Sequence, residues 1–168
     1  MTILQSFTPI CGAQPRVLIL GTMPGKISLT QHQYYAHPRN AFWRIIGELL
    51  HIDPNDRYET RVEQLMQAQI AVWDVLKFCV RKSSLDADIE ANSAVPNDIS
   101  ALLRANPTLR RVCFNGGKAA QLYRRHIAPQ LAAEFHSIEY FALPSTSPAH
   151  AGMRYAEKLG AWHVILKK

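Results

Sequence analysis

Cysteine is scarce in this chain. Cys11, Cys79 and Cys113 are the only three in 168 residues, and no two form a C-x-x-C pair. An odd number at such spacing argues against a disulfide framework and against a cysteine-ligated zinc or iron–sulfur site. Long apolar runs are also missing, since none approaches the roughly 20 residues needed to cross a bilayer. The opening MTILQSFTPICGAQP lacks a basic start followed by an apolar stretch, so no signal peptide is read and a soluble, cytoplasmic protein is expected. No two of the seven histidines stand at H-x-x-x-H spacing, and no metal or other cofactor is expected. Internal repeats, low-complexity tracts and dividing linkers are absent, and the length fits one domain over residues 1–168.

What is present is ordinary for a globular protein with a core: 48% hydrophobic and 19% charged residues. Nineteen Lys and Arg against thirteen Asp and Glu give a net charge of +6. That balance favours an anionic partner, nucleic acid first, with a merely basic surface as the alternative. Apart from the closing Lys167-Lys168, the basic residues are spread through the body of the chain rather than gathered in a tail.

Strands and helices alternate in the pattern. Arg16–Leu20, Ile70–Leu76, Arg111–Phe114 and Ile138–Leu143 are apolar, β-branched or aromatic runs that read as strands. Helical patterns cover Ala41–Leu50, about Glu59–Gln67, a short segment from Asp98 to just before Pro107, Gly117 to about His126, and Ala151 to Leu166. Residues 80–97 are polar and read as a surface loop with local turns. The alternation predicts an α/β domain around a mostly parallel, four-stranded sheet. Ligands of such sheets sit at the carboxyl ends of the strands. The loops after the first, third and fourth strands, at 21–40, 115–118 and 144–150, are therefore the places to search.

Gly21-Thr-Met-Pro-Gly25-Lys26 fails as a P-loop. It has three residues rather than four between the glycines, and Ile27 follows the lysine. As a glycine-lined turn it can still bring backbone close to a flat ligand, or simply end a strand. In Tyr34-Tyr-Ala-His-Pro-Arg-Asn-Ala-Phe-Trp43, Pro38 holds His37 extended. Asn40 has two open roles, capping the helix that follows or holding a water in the crevice. Tyr35 can stack on a base or pack. Asn115 can close a turn or read a base edge with an amide that both donates and accepts. Lys118 at the next helix start suits a phosphate or plain solvation. Ser145, Thr146 and Ser147, between Pro144 and Pro148, suit a phosphate backbone or the capping of the last helix. Arg110-Arg111 and Arg124-Arg125 are further candidates for phosphate. Ser145 lacks the G-x-S-x-G setting of a hydrolase nucleophile.

Taken in order, G-T-M-P-G at 21–25, Y-Y-A-H-P-R-N-A-F-W at 34–43, F-N-G-G-K-A at 114–119 and L-P-S-T-S-P-A at 143–149 resemble the uracil-DNA glycosylase superfamily. The resemblance runs from about Arg16 to Leu166. It departs at Met23, where the superfamily usually carries Asp or Asn, and at Leu143, where its second motif opens with His or Asn. With Asn retained in H-P-R-N, the pattern is similar to the hypoxanthine-DNA glycosylases, whose catalytic Asn maps to Asn40. The four-cysteine cluster of some relatives is absent.

The resemblance implies a three-layer α/β/α fold and a monomer acting on double-stranded DNA. The enzyme would flip out a deaminated base, hypoxanthine in the form of deoxyinosine, and hydrolyse its N-glycosidic bond to leave an abasic site. Gly21, Thr22, Met23, Tyr35 and Asn115 would hold the base. Lys118, Ser145, Thr146, Ser147 and Pro148 would hold the DNA backbone. No lysine is placed as a nucleophile, so hydrolysis without strand cleavage is expected. The alternatives are a uracil or thymine mismatch glycosylase, and a non-catalytic nucleic-acid-binding domain of the same fold.

Overall fold

The computed structural model describes residues 2–131 and 133–167. Along the chain lie β1 (Ile3–Gln5), β2 (Val17–Gly21), α1 (Lys26–Gln31), α2 (Phe42–Leu50), α3 (Tyr58–Gln67), β3 (Ile70–Asp74), β4 (Leu76–Val80) and β5 (Val95–Pro96). Then come α4 (Ile99–Ala105), β6 (Arg111–Asn115), α5 (Gly117–His126), β7 (Glu139–Leu143) and α6 (Tyr155–Trp162). The main sheet has the order β3-β2-β6-β7, with every neighbouring pair parallel. The four-stranded parallel α/β architecture read from the sequence is the observed one.

Two apolar clusters sandwich the sheet, and β2 divides its side chains between them. Leu18 and Leu20 join Ile99 and Leu103 of α4 and Ala119 and Tyr123 of α5. Val17 and Ile19 face the other way, onto Phe42, Ile45 and Ile46 of α2, Leu65 of α3 and Trp162 of α6. A parallel strand covered on both faces must be apolar at consecutive positions, and all five residues of β2 are buried. The α2 stripe Phe42, Ile45, Ile46 and Leu49 repeats at helical spacing, as a helix with one covered face requires. Asp98 caps α4, its carboxylate accepting from the Ala101 N–H at 2.9 Å.

The run Ile70–Leu76 is not one strand. It breaks after Asp74, and Leu76–Val80 pairs antiparallel with β1 and β5 in a second, three-stranded sheet. The Gly21 and Thr22 carbonyls accept from the Val75 and Leu76 N–H groups at 2.8 and 3.1 Å, and this holds the break against the end of β2. Residues 80–97, read as a polar surface loop, begin with the last residue of β4, carry a buried Arg81 and pack on the segment after β2. The last helix is shorter than the sequence pattern and continues as a 3-10 turn over His163–Leu166.

Candidate active site

Because the four strands run parallel, their carboxyl ends share one edge, where Gly21 lies level with Asp74 and Asn115 level with Leu143. The segments leaving that edge enclose a cleft of about 750 Å3. A cleft of that size accommodates a nucleobase and its sugar. It draws on the segments at the ends of β2, β6 and β7, as the crevice rule predicts, and also on the end of β3 and the segment after β4.

Gly21 is at the floor. A Cβ there would lie 2.5 Å from Asp74 Oδ1 and 3.1 Å from the Tyr35 hydroxyl, so only glycine lets these groups converge. Tyr35 itself adopts φ 56°, a left-handed conformation that costs a bulky residue of order 1–3 kcal/mol. Its ring stacks on Phe42 at 3.9 Å and 20°. The Tyr35 hydroxyl is buried near the Asn115 amide without a well-formed hydrogen bond. Burial, reinforced by the neighbouring Asp74, drives the phenol far above its ordinary range and keeps it neutral.

Asn40 also lines the cleft. Its Oδ1 accepts from the Phe42 N–H at 2.9 Å, so the residue caps the first turn of α2 and is thereby fixed in orientation. Capping and site placement coexist in this residue. A second lone pair on Oδ1 and the Nδ2 donors are not consumed by the cap. The adjoining Ala41 N–H donates to the Thr146 carbonyl at 3.0 Å, tying this segment to the loop after β7.

Asn115 is at the end of β6 and locks to that same loop. Its Nδ2 donates to Thr146 Oγ1, and its Oδ1 accepts from the Thr146 N–H, both at 2.9 Å. One N–H of the amide is left over from this clasp. Thr146 is 1% exposed, so its hydroxyl serves Asn115 rather than facing a phosphate. Ser145, Ser147 and Pro148 line the cleft and are partly exposed. The Ser145 and Ser147 hydroxyls accept from the Ser147 and Ala149 N–H groups at 3.1 and 3.2 Å, which shapes the loop. Gly116 permits the turn into α5 with φ 99°. Thr22 and Met23 line the cleft, but the Met23 side chain is built into the apolar cluster beneath it. Lys118 is partly buried outside the lining, near enough to Asp86 to favour that carboxylate.

Two pairs of arginines lie elsewhere. Arg111 starts β6 at the opposite edge of the sheet, is 6% exposed, and bonds the Val164 and Lys167 carbonyls and Glu139. Arg110 donates to the Pro107 carbonyl. Arg124 and Arg125 occupy the last turn of α5, whose first turn is the one nearest the cleft. Exposed cations at the cleft are instead Lys26 and Arg39.

Sequence reasoning missed the acidic side of the site. Asp74 ends β3, lines the cleft, is 4% exposed, and has an Oδ2 with no hydrogen-bond partner. Burial, and then the nearby Asp86, push its carboxyl up to about 8, against the opposing pull of Arg81. Asp86 is raised in turn by burial, and drawn back by Thr22, Arg81 and Lys118. The Arg81 guanidinium is fully enclosed, donating to the Pro24 carbonyl at 2.7 Å with Asp86 at 3.6 Å. The available signal was a lone acid within an otherwise apolar strand run. Among the described residues no group of three or more His, Cys, Asp or Glu is arranged to hold a metal.

The sequence profile of the uracil DNA glycosylase superfamily matches residues 8–165. The chain belongs to that superfamily. A protein of Methanosarcina barkeri (strain Fusaro / DSM 804) named hypoxanthine DNA glycosylase is 37% identical over 118 residues, covering 70% of this chain and 73% of that one. One of the same name from Methanosarcina acetivorans is 36% identical over 120 residues, covering 71% and 75%. A solution NMR structure from Methanosarcina acetivorans, bearing a provisional uracil DNA glycosylase name, superposes with a TM-score of 0.79 at 30% identity over 99% of this chain and all of that one. The superfamily and the fold expected from the four sequence motifs are therefore the observed ones. Met23 thus stands, in this superfamily member, as a packing residue in the first-motif position.

Proposed function

We propose that this glycosylase removes hypoxanthine from DNA containing deoxyinosine by hydrolysis of the N-glycosidic bond. The observation that carries the reading is Asn40, a cleft amide held in one orientation by the Phe42 N–H, while the first motif contributes the apolar Met23 and no carboxylate. The two curated relatives named hypoxanthine DNA glycosylase support the choice of base.

The chemistry follows from these groups. The exposed cations Lys26 and Arg39 attract the DNA backbone, as the net charge of +6 favours. The deoxyinosine nucleotide is extruded, at a cost of a few kcal/mol that weak pairing lowers. Its base enters the cleft and stacks on the Tyr35 face that Phe42 does not cover, and the spare Asn115 N–H meets its edge. As the C1′–N9 bond breaks, its electron pair moves onto the purine and the sugar becomes cationic. Water held by Asn40 Oδ1 adds to C1′, and the proton it gives up neutralises the departing purine anion. An amide is too weakly basic to deprotonate water strongly, so Asn40 positions the nucleophile and the flanking DNA phosphates help stabilise the cation. The products are hypoxanthine and an abasic site, the starting point of base-excision repair.

The test uses labelled duplexes carrying one deoxyinosine or one deoxyuridine, incubated with protein and then cleaved at abasic sites by alkali. Product from deoxyinosine is expected, and Asn40→Ala should lower its rate by at least about 100-fold. Product from deoxyuridine alone assigns the protein to uracil removal. Binding without base release makes it a nucleic-acid-binding domain of this fold.

A further inference from the structure

The mechanism leaves Asp74 of the cleft unused. Asp74 reaches the floor beside Gly21, is 4% exposed, and has an Oδ2 with neither solvent nor a hydrogen-bond partner. A buried polar atom without a partner is costly, and its persistence at a binding cleft points to a ligand that completes it. Its backbone is tightly held: Asn97 Nδ2 donates to the Asp74 and Leu76 carbonyls at 2.8 and 3.1 Å, and the Val75 N–H donates to Gly21. The side chain is thus delivered by a rigid turn between two sheets.

Ionisable groups approach it from several elements. Tyr35 and Tyr34 approach from the segment after α1, both driven above their ordinary range with Asp74 as a contributing cause. Asp86 and Arg81 approach from the segment after β4 with opposite effects, and Lys118 acts on Asp86 from α5. Burial dominates, and the carboxyl holds its proton to about pH 8. The protonation state decides what Asp74 can do. A carboxylate would repel the electron pair that moves onto a departing base. A carboxylic acid presents an O–H donor, whose bond strengthens as that charge develops.

We propose that Asp74 is a catalytic residue whose carboxylic O–H donates a hydrogen bond to an acceptor, O6 or N7, on the purine edge of the extruded hypoxanthine. This role rests on the glycosylase reading above. The donor stabilises the base as it leaves and is lost when Asp74 ionises. Release should therefore be supported below about pH 8 and fade as pH rises through it. Asn at this position keeps a donor and has no proton to lose in that range.

The experiment is single-turnover release from a deoxyinosine duplex between pH 6 and 10, with wild type, Asp74→Asn and Asp74→Ala, at protein concentrations that saturate the DNA. Thermal melting checks each fold. Wild type should lose rate about tenfold per pH unit above a midpoint near 8. Asp74→Asn should keep at least about a tenth of the rate at pH 7 and lose that midpoint, while Asp74→Ala falls about 100-fold or more. Deoxyinosine loses its own N1 proton on the alkaline side in every variant, so the difference between variants carries the result. A limb shared by wild type and Asp74→Asn, or equal losses in folded Asn and Ala variants, overturns the proposal. If Asp74→Asn does not fold, Asp86→Asn removes the like charge and should move the wild-type midpoint to lower pH; an unmoved midpoint overturns the proposal. No release by wild type at any pH overturns the hypoxanthine reading itself, and the proposal with it, whereas retained release with an unaltered limb overturns the role of Asp74 alone.

Discussion

Replacing Asp74 by Asn should make the protein more stable, and by an amount that depends on pH. The ordinary carboxyl value of 3.8 is raised to about 8 in the fold, a span of about 4 pH units. Each unit corresponds to about 1.4 kcal/mol, so ionising Asp74 costs the native state up to about 6 kcal/mol. The sign follows from proton uptake. Between about pH 4 and 8 the unfolded chain has lost this proton while the native protein keeps it. Native stability from this residue is therefore intact near pH 4, falls as pH rises, and reaches its floor above about 8. Asn carries no such dependence, and Asp86, Arg81, Tyr34 and Tyr35 are common to both proteins. Urea unfolding of wild type and Asp74→Asn at intervals from pH 5 to 9 should show the stability gap in favour of Asn widening by several kcal/mol and levelling above about pH 8. A gap constant to within about 0.5 kcal/mol across that range would mean that Asp74 ionises as an exposed carboxyl does, and the burial argument would be refuted.

Two other substitutions probe the walls of the cleft. Gly21→Ala sets a Cβ 2.5 Å from Asp74 Oδ1, so it should cost about 1–3 kcal/mol in urea unfolding and slow base release; a variant matching wild type in both would show that the floor is not crowded. Thr146→Val removes the buried hydroxyl that accepts from Asn115 Nδ2 at 2.9 Å and should cost about 1–3 kcal/mol; an unchanged unfolding midpoint would show that the clasp between β6 and the loop after β7 contributes nothing net.

The parts of the fold visible in the sequence are those whose environment repeats over several residues. The strands β2 and β6 lie between two layers of helices, so their central residues are apolar whichever way they point, and Val17–Leu20 and Val112–Phe114 stand out. The α2 stripe stands out by its spacing. By contrast, α1 is six residues long with no side-chain cap, too short to leave a period. The break after Asp74 was hidden because Val75 and Leu76 continue the apolar run, and what redirects the chain is tertiary: the Gly21 and Thr22 carbonyls and the Asn97 amide. Arg81 was equally hidden, since nothing local says that a guanidinium in a polar stretch is enclosed beneath the Pro24 carbonyl.

Within the cleft the same division holds. Asn40, Tyr35 and Asn115 were found because they stand in dense, unusual motifs, and each also does structural work in capping, stacking or clasping. That double use is why the residues alone left their roles open: a site held to fractions of an ångström is built from groups that are themselves held. Asp74 was missed for the opposite reason. It lies in an apolar run with no motif around it, and its carboxyl has no protein partner to announce it. A lone acid ending a buried strand violates the local rule that charges avoid such places, and residues that break local rules at a ligand-binding edge are where function is to be sought. Once the break after Asp74 is known, the crevice rule applied to β3 leads to Asp74 directly. The stability that Asp74 costs when ionised and the reactivity that its proton supplies then have one origin, the absence of water at the floor of the cleft.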